Sequence, residues 1–345
     1  MNFKGNTKQA CLSTVGSLLL ASLLSFSCAP NKTAEQEYAA RTESNSQIVG
    51  GVTADANYQN ANGVVGLLMT TQNSLGMESQ SICTGTLIDK RIILTAAHCI
   101  ATPGLSNIIV FFDHDMQKAT ENRLRFALTG TVHEKYMTEV KDNDPNAAVA
   151  NWNDIALLVL NEDAPADVKI AKIAAPGTAL KKGNSLTLAG FGITNAVIRK
   201  EVKKNGKTVV QELAGVGDGI LRKVDGILVA QTINNDHEIV LDQKKKGACH
   251  GDSGGPAFLK AADGSVIQVG VTSRGLEKLG NCNTQSVYTS VIAHNAWIKT
   301  GSADLLKQAV EIEKQMAEQA AAEQNKATPE VKPEVKPELP TIAGN

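Results

Sequence analysis

Six residues, Gly251-Asp252-Ser253-Gly254-Gly255-Pro256, with Cys249 two positions before them, constrain this chain more than any other stretch. The glycines around Ser253 let the backbone take positive φ and turn sharply. Such a turn lifts the serine hydroxyl out of the chain and aims the amides of Gly251 and Ser253 at one point, where an oxyanion would form during acyl transfer. Glycine-rich Asp-Ser-Gly stretches also make ordinary loops. The meaning of this one depends on whether the chain also supplies a base, a carboxylate to orient it, and cross-links.

Most of the chain between Ile48 and Ser290 breaks into short apolar segments bounded by turn residues. Val64–Met69, Gly85–Ile88, Arg91–Thr95, Ile108–Phe112, Ile155–Leu160 and Ser185–Ala189 read as strands, as do Glu238–Leu241, Pro256–Leu259 and Val266–Ser273. Asn205-Gly206 between Val202 and Val209 signals a hairpin. Many short strands with few helices predict an all-β barrel or sandwich. Twenty-nine glycines against 4% aromatics lean the same way. Ile292–Thr300 predicts a closing helix, with Trp297 packed into the core. A formal net charge of -1 gives no sign of a nucleic-acid partner.

The two ends differ from this body. Lys4 and Lys8, then the apolar stretch from Val15 to Leu24 and the small-residue exit Ser25-Phe26-Ser27-Cys28, make 1–27 a signal peptide. The stretch is too short for a comfortable membrane span, so the protein is expected to be exported. Cys28 resembles the acceptor of a bacterial lipoprotein; ordinary cleavage nearby is the alternative. With Cys11 and Cys28 set aside, Cys83, Cys99, Cys249 and Cys282 remain, and four cysteines allow three pairings. Their spacing does not suit zinc, so disulfides are expected in an oxidising compartment. After the core, 301–325 is rich in Ala, Glu, Gln, Lys and Leu and predicts a helix with a partial stripe of Leu305, Leu306, Val310, Ile312 and Met316. The segment 326–345 repeats Pro-Glu-Val-Lys and predicts an extended spacer.

The segment Cys83-Thr84-Gly85-Thr86-Leu87-Ile88, followed by Ile92-Ile93-Leu94-Thr95-Ala96-Ala97-His98-Cys99, resembles the trypsin/chymotrypsin family closely, as does the serine loop. Asn153-Asp154-Ile155-Ala156-Leu157-Leu158 resembles the aspartate motif of that family. The order His98, Asp154, Ser253 is that of the chymotrypsin-type arrangement. Gly190-Phe191-Gly192 is similar to a Gly-Trp-Gly element of the family. The likeness covers about 48–300 and is weakest between Val197 and Gly219. It implies two six-stranded antiparallel β-barrels with a C-terminal helix, and bridges Cys83–Cys99 and Cys249–Cys282. It also implies a serine endopeptidase that needs no metal or organic cofactor and acts on protein or peptide substrates. In it His98 is the base, Asp154 its orienting carboxylate, and the Gly251 and Ser253 amides the oxyanion hole.

Ile48-Val49-Gly50-Gly51 resembles the new N-terminus of activated family zymogens, which makes 28–47 a propeptide and predicts a cut between Gln47 and Ile48. The freed Ile48 amine would pair with Asp252. Gln47 is not basic, so the activating protease is open, with self-processing as one route. Were Cys28 lipidated, the cut would release the domain from a membrane anchor. By alignment on Cys249, the substrate pocket is built from Gly247 at its base, Ala248 beside it, His250 at its entrance, Ser273 and Gly275 along its edge, and Ser286. No acid stands there, so a small or medium apolar P1 residue is expected rather than Lys or Arg, with an acidic P1 as the lesser alternative. A catalytically silent protease-like binding protein or a surface adhesin is the competing class. His133, His237 and His294 read as surface or boundary residues, and Asp113-His114-Asp115 as a solvated turn.

Overall fold

Apolar residues alternating with polar ones along short segments produce two closed antiparallel sheets, seen in the computed structural model of the chain. It describes residues 48–136, 150–194, 198–204, 207–213, 218–244, 246–261, 263–276, 282 and 284–327. Strand β1 (Val52–Thr53) and helix α1 (Ala56–Asn62) lead into the first barrel. The helix starts where the Asp55 side chain accepts the Tyr58 amide, the usual N-cap bond.

The first barrel contains β2 (Val64–Gln72), β3 (Glu78–Asp89), β4 (Ile92–Thr95), β5 (Leu105–Phe111), β6 (Leu124–Val132) and β7 (Ala156–Leu160), joined in the order β2-β3-β4-β7-β6-β5. A four-residue helix, α2 (Ala97–Ile100), follows β4. Two short strands, β8 (Lys172–Ile173) and β9 (Ser185–Gly190), lead on to the hairpin β10 (Ile198–Lys204) and β11 (Lys207–Leu213). The hairpin pairs Lys204 with Lys207; its expected Asn205-Gly206 turn lies outside the described residues.

The second barrel adds β12 (Arg222–Ile233), β13 (Glu238–Asp242), β14 (Pro256–Lys260), β15 (Val266–Gly275) and β16 (Gln285–Ser290) to β9. Its path is β12-β13-β16-β15-β14-β9, closed by pairing of β12 with β9. Thus the fold is two six-stranded antiparallel barrels, as expected. Strands β6, β12 and β16 were not delimited from sequence, because each carries polar residues that blur its alternation.

The described residues close with one unbroken helix, α3 (Asn295–Ala327), which crosses the boundary drawn at 300. It explains why β7 reads Ala-Leu-Leu-Val-Leu without alternation: all five residues are buried, since the barrel interior lies on one face and α3 covers the other. Ile298, Leu305 and Ala309 of α3 join the core of the first barrel together with Leu157 and Leu158. Arg91 donates to Glu313 and to the Leu160 carbonyl, tying the helix to the barrel edge. The expected stripe is only half used: Leu305 is buried, whereas Val310 and Met316 are exposed. Replacing Leu305 by Ala is expected to lower unfolding stability by about 2–5 kcal/mol in urea titrations. Val310→Ala should stay within about 0.5 kcal/mol of the native protein.

Candidate active site

His98 sits on α2, immediately after β4, and Asp154 sits just before β7, so two neighbouring strands of the first barrel deliver base and carboxylate to one point. Asp154 Oδ2 lies 2.8 Å from His98 Nδ1, and Oδ1 accepts the His98 backbone amide at 2.9 Å. The second barrel holds the same residue: Ser273 Oγ donates to Asp154 Oδ2 at 2.7 Å and Thr289 Oγ1 to its carbonyl at 2.8 Å. Burial pulls the His98 imidazole down, but the charge and hydrogen bond of Asp154 outweigh it and hold His98 above its ordinary value. Burial likewise pushes the Asp154 carboxyl up. His98 and the hydrogen bonds from Ser273 and the His98 amide hold it below the usual carboxylate range instead.

Asn153 turns the chain into this position. It adopts left-handed φ of 47°, and its side-chain amide donates to the Lys135 carbonyl at 3.1 Å. Its Oδ1 lies 3.2 Å from His294 Nε2. The histidine readings need correction here, because His133 and His294 are buried rather than at the surface. His294 stacks edge-on against both His133 and His237, while the partly buried Trp297 tilts against His133. Burial pushes the His294 imidazole down to about 4. Asp115 is also buried rather than solvated, because its side chain caps the turn at Gln117 and pairs with Lys118.

The serine loop is wedged between the barrels. Gly251 and Gly254 take φ of 92° and 80°, as the sharp turn requires. A Cβ at Gly254 would lie 2.1 Å from Thr95 Oγ1 and 2.4 Å from the Thr84 carbonyl, so no larger residue fits. Thr84, buried in β3, fastens the loop two ways and ties it to Phe191. Its amide donates to the Ser253 carbonyl, its hydroxyl donates to the Gly251 carbonyl, and the same hydroxyl accepts the Phe191 amide. Among the described residues, neither the Gly251 nor the Ser253 amide donates a hydrogen bond within the chain. The bridges Cys83–Cys99 and Cys249–Cys282 flank His98 and the loop.

Asp252 points away from the cleft. Its carboxylate is 1% exposed and accepts the amides of Gly192 at 2.9 Å and Cys249 at 2.8 Å. Burial pushes it up to about 6, against those two donors and the charge of buried Arg222. Ile48 is fully buried in the core of the second barrel beside Ala248 and Tyr288. Its neighbour Val49 bridges to Gly247, whose amide donates to the Val49 carbonyl at 2.8 Å. Gln47 and Cys28 lie outside the described residues.

A cavity of about 300 Å³ opens between His98 and Ser253 and is also lined by Ala248, His250, Ser273, Gly275 and Ser286. Gly247, expected at its base, is not on the lining. Gln243 lines the cavity instead, a residue missed from sequence because it lies at the end of β13, six positions before Cys249. Arg274, between Ser273 and Gly275, also lines the cavity. Its guanidinium forks onto buried Glu238 and lies 4.6 Å above the Trp152 ring. No helix among the described residues is long and apolar enough to cross a membrane.

Known proteins share this arrangement at the level of sequence. The trypsin family matches residues 48–298. Kallikrein 1-related peptidase b22 of Mus musculus is 28% identical over 258 residues, covering 74% of this chain and 89% of that protein. Brachyurin of Leptuca pugilator is 27% identical over 262 residues, 73% of this chain and 97% of its own length. Chymotrypsin of Phaedon cochleariae is 27% identical over 242 residues, 65% and 74% of the two chains. The extent of the family match makes this chain a member of the trypsin family of serine proteases.

Proposed function

We propose that this protein is an exported serine endopeptidase working through His98, Asp154 and Ser253. It is made as a zymogen cut between Gln47 and Ile48, and it takes a small or medium apolar P1 residue. The reading rests above all on the 2.8 Å contact between Asp154 and His98 Nδ1, beside a cavity that His98 shares with Ser253. With its Nδ1 proton given to Asp154, neutral His98 keeps a lone pair on Nε2. That nitrogen takes the Ser253 proton as the serine oxygen attacks a peptide carbonyl. The oxyanion is met by the unengaged amides of Gly251 and Ser253. His98 then hands its proton to the leaving amine as the C–N bond breaks. Water repeats the cycle on the acyl-enzyme, releasing the acid and restoring the serine. Protein and peptide substrates follow from the family; nothing in this cycle calls on a cofactor.

The zymogen reading rests on Asp252. Burial holds the Asp252 carboxyl up despite two backbone donors and the charge of Arg222, and a freed ammonium on Ile48 would add a direct counter-charge. The desolvation cost of such a pair must be offset by close geometry. Docking of Ile48 and Val49 would also brace Gly247 beside the cavity. In this reading 1–27 directs export and Cys28 accepts lipid. Residues 28–47 then serve as the propeptide, and 326–345 as a spacer.

A fluorophosphonate probe is expected to label Ser253 stoichiometrically, but only in protein whose N-terminal sequence begins at Ile48. Labelling of the uncut chain at the same rate would remove the latch, and no labelling of the cut chain would favour a silent binding protein. The kcat/KM of the active form should rise with pH through a value above 6.5, because the raised His98 is a base only once deprotonated. Asp154→Asn should cost on the order of 10⁴ in kcat by losing the productive tautomer.

A further inference from the structure

Gly247 has φ of +146°, and a Cβ built there would lie 2.4 Å from Gln243 Cδ, 2.6 Å from Cγ and 2.7 Å from Nε2. The space that a side chain at position 247 would enter is therefore filled by another residue. Gln243 is 1% exposed and its amide is tightly held. Its Oε1 accepts both the Ala248 amide, at 3.2 Å, and the Ser286 hydroxyl. Its Nε2 donates to the Ala248 carbonyl at 2.9 Å. The Gln243 backbone is fixed as well, donating to the Thr284 carbonyl and accepting from the Lys246 amide.

The geometry points to Gln243 as the residue that sets the depth and charge preference of the P1 pocket; this deepens the proposed protease reading and rests on it. Gln243 forms the cavity floor in place of the absent side chain at Gly247. An amide oxygen that already accepts two hydrogen bonds has no lone pair to spare for a cation. The amide nitrogen has one proton left beyond that given to Ala248. A lysine or arginine P1 side chain would thus meet a donor where it needs an acceptor, at a buried site where an unpaired charge is costly. A long apolar side chain would strike Gln243 before it was fully seated. Small and medium apolar residues fill the space above it. Because Gln243 and a residue at 247 compete for one volume, an acid placed at 247 alone has no room to reach the cavity.

The test is a P1-varied peptide series, with Ala, Val, Leu, Phe, Lys and Glu, cleaved by the full chain after its cut before Ile48. Active sites are counted by fluorophosphonate labelling. The wild type should prefer Ala to Leu. Gln243→Ala should move the Phe-to-Ala ratio of kcat/KM upward by about tenfold or more, the scale set by added methylenes in an apolar pocket. Gln243→Met keeps the volume without the amide and should keep the wild-type size order. Gly247→Asp alone should gain no cleavage after Lys. Should the alanine variant not fold, Gln243→Asn shortens the same side chain by one methylene and carries the same expectation. An unchanged size order in the shortened variant, a wild-type preference for Glu, or cleavage after Lys by Gly247→Asp alone would overturn the assignment. A labelled, active wild type with an unmoved P1 order sinks only the role of Gln243. A cut wild type that neither labels nor cleaves removes the protease reading with it.

Discussion

A buried carboxylate at the seam of two barrels governs the rest of this structure. Asp154 is fully buried, and a carboxylate so placed without partners would cost several kcal/mol. Each barrel supplies part of the compensation: His98 from the first, Ser273 and Thr289 from the second. The contacts that satisfy the charge also fix the relative placement of the barrels and the orientation of the imidazole. Separating them would leave Asp154 charged and unsatisfied, so stability and the geometry of the base depend on the same group.

The serine loop obeys a similar logic with its polarity reversed. Here the Gly251 and Ser253 carbonyls are tied down, while the amides of the same two residues make no hydrogen bond among the described residues. Thr84 uses its hydroxyl and its amide to hold the Gly251 and Ser253 carbonyls against the first barrel. Asp252 collects the Gly192 and Cys249 amides behind the loop. With these carbonyls engaged and Gly254 in positive φ, the Gly251 and Ser253 amides make no hydrogen bond among the described residues. A loop of this shape needs such external bracing, because its few residues cannot hold it unaided.

The parts of this design that were legible in the sequence are the local ones. The Ser253 loop, the segment ending in His98-Cys99 and the strand after Asp154 each carry their information within about ten contiguous residues. The likeness to a known family could therefore be read from them directly. The barrels followed from short strands between turn residues, although β12, with exposed Asp225 and Gly226 inside it, hid its own span. What escaped notice depends on contacts between distant residues. Ser273 reads from sequence only as a pocket-edge residue; its bond to Asp154, like that of Thr289 and those of Thr84 to the serine loop, needs the second barrel closed over the first. His133 and His294 read as surface or boundary residues because the groups that pack across from them come from separate segments: His294 lies edge-on to His133 and His237, and Trp297 tilts against His133. The α3 stripe misled in the opposite direction: Val310 and Met316 fit the helical period but lie where the barrel no longer reaches.

The pocket shows most clearly why alignment and structure divide the information between them. Position 247 could be compared with relatives because it sits a fixed distance from Cys249, and its glycine brings no acid there. Glycine, however, describes a missing side chain and not an empty volume. Close packing rarely leaves a void of that size beside a buried loop. The question raised by Gly247 is therefore which residue fills its place. Gln243 does so from the end of β13, using an amide that caps Ala248 on both its N–H and its C=O and takes the Ser286 hydroxyl. The pocket floor, the Val49 bridge and the Cys249 loop meet through Gly247 and Ala248. A change at Gln243 is thereby coupled through backbone to the segment beginning at Ile48.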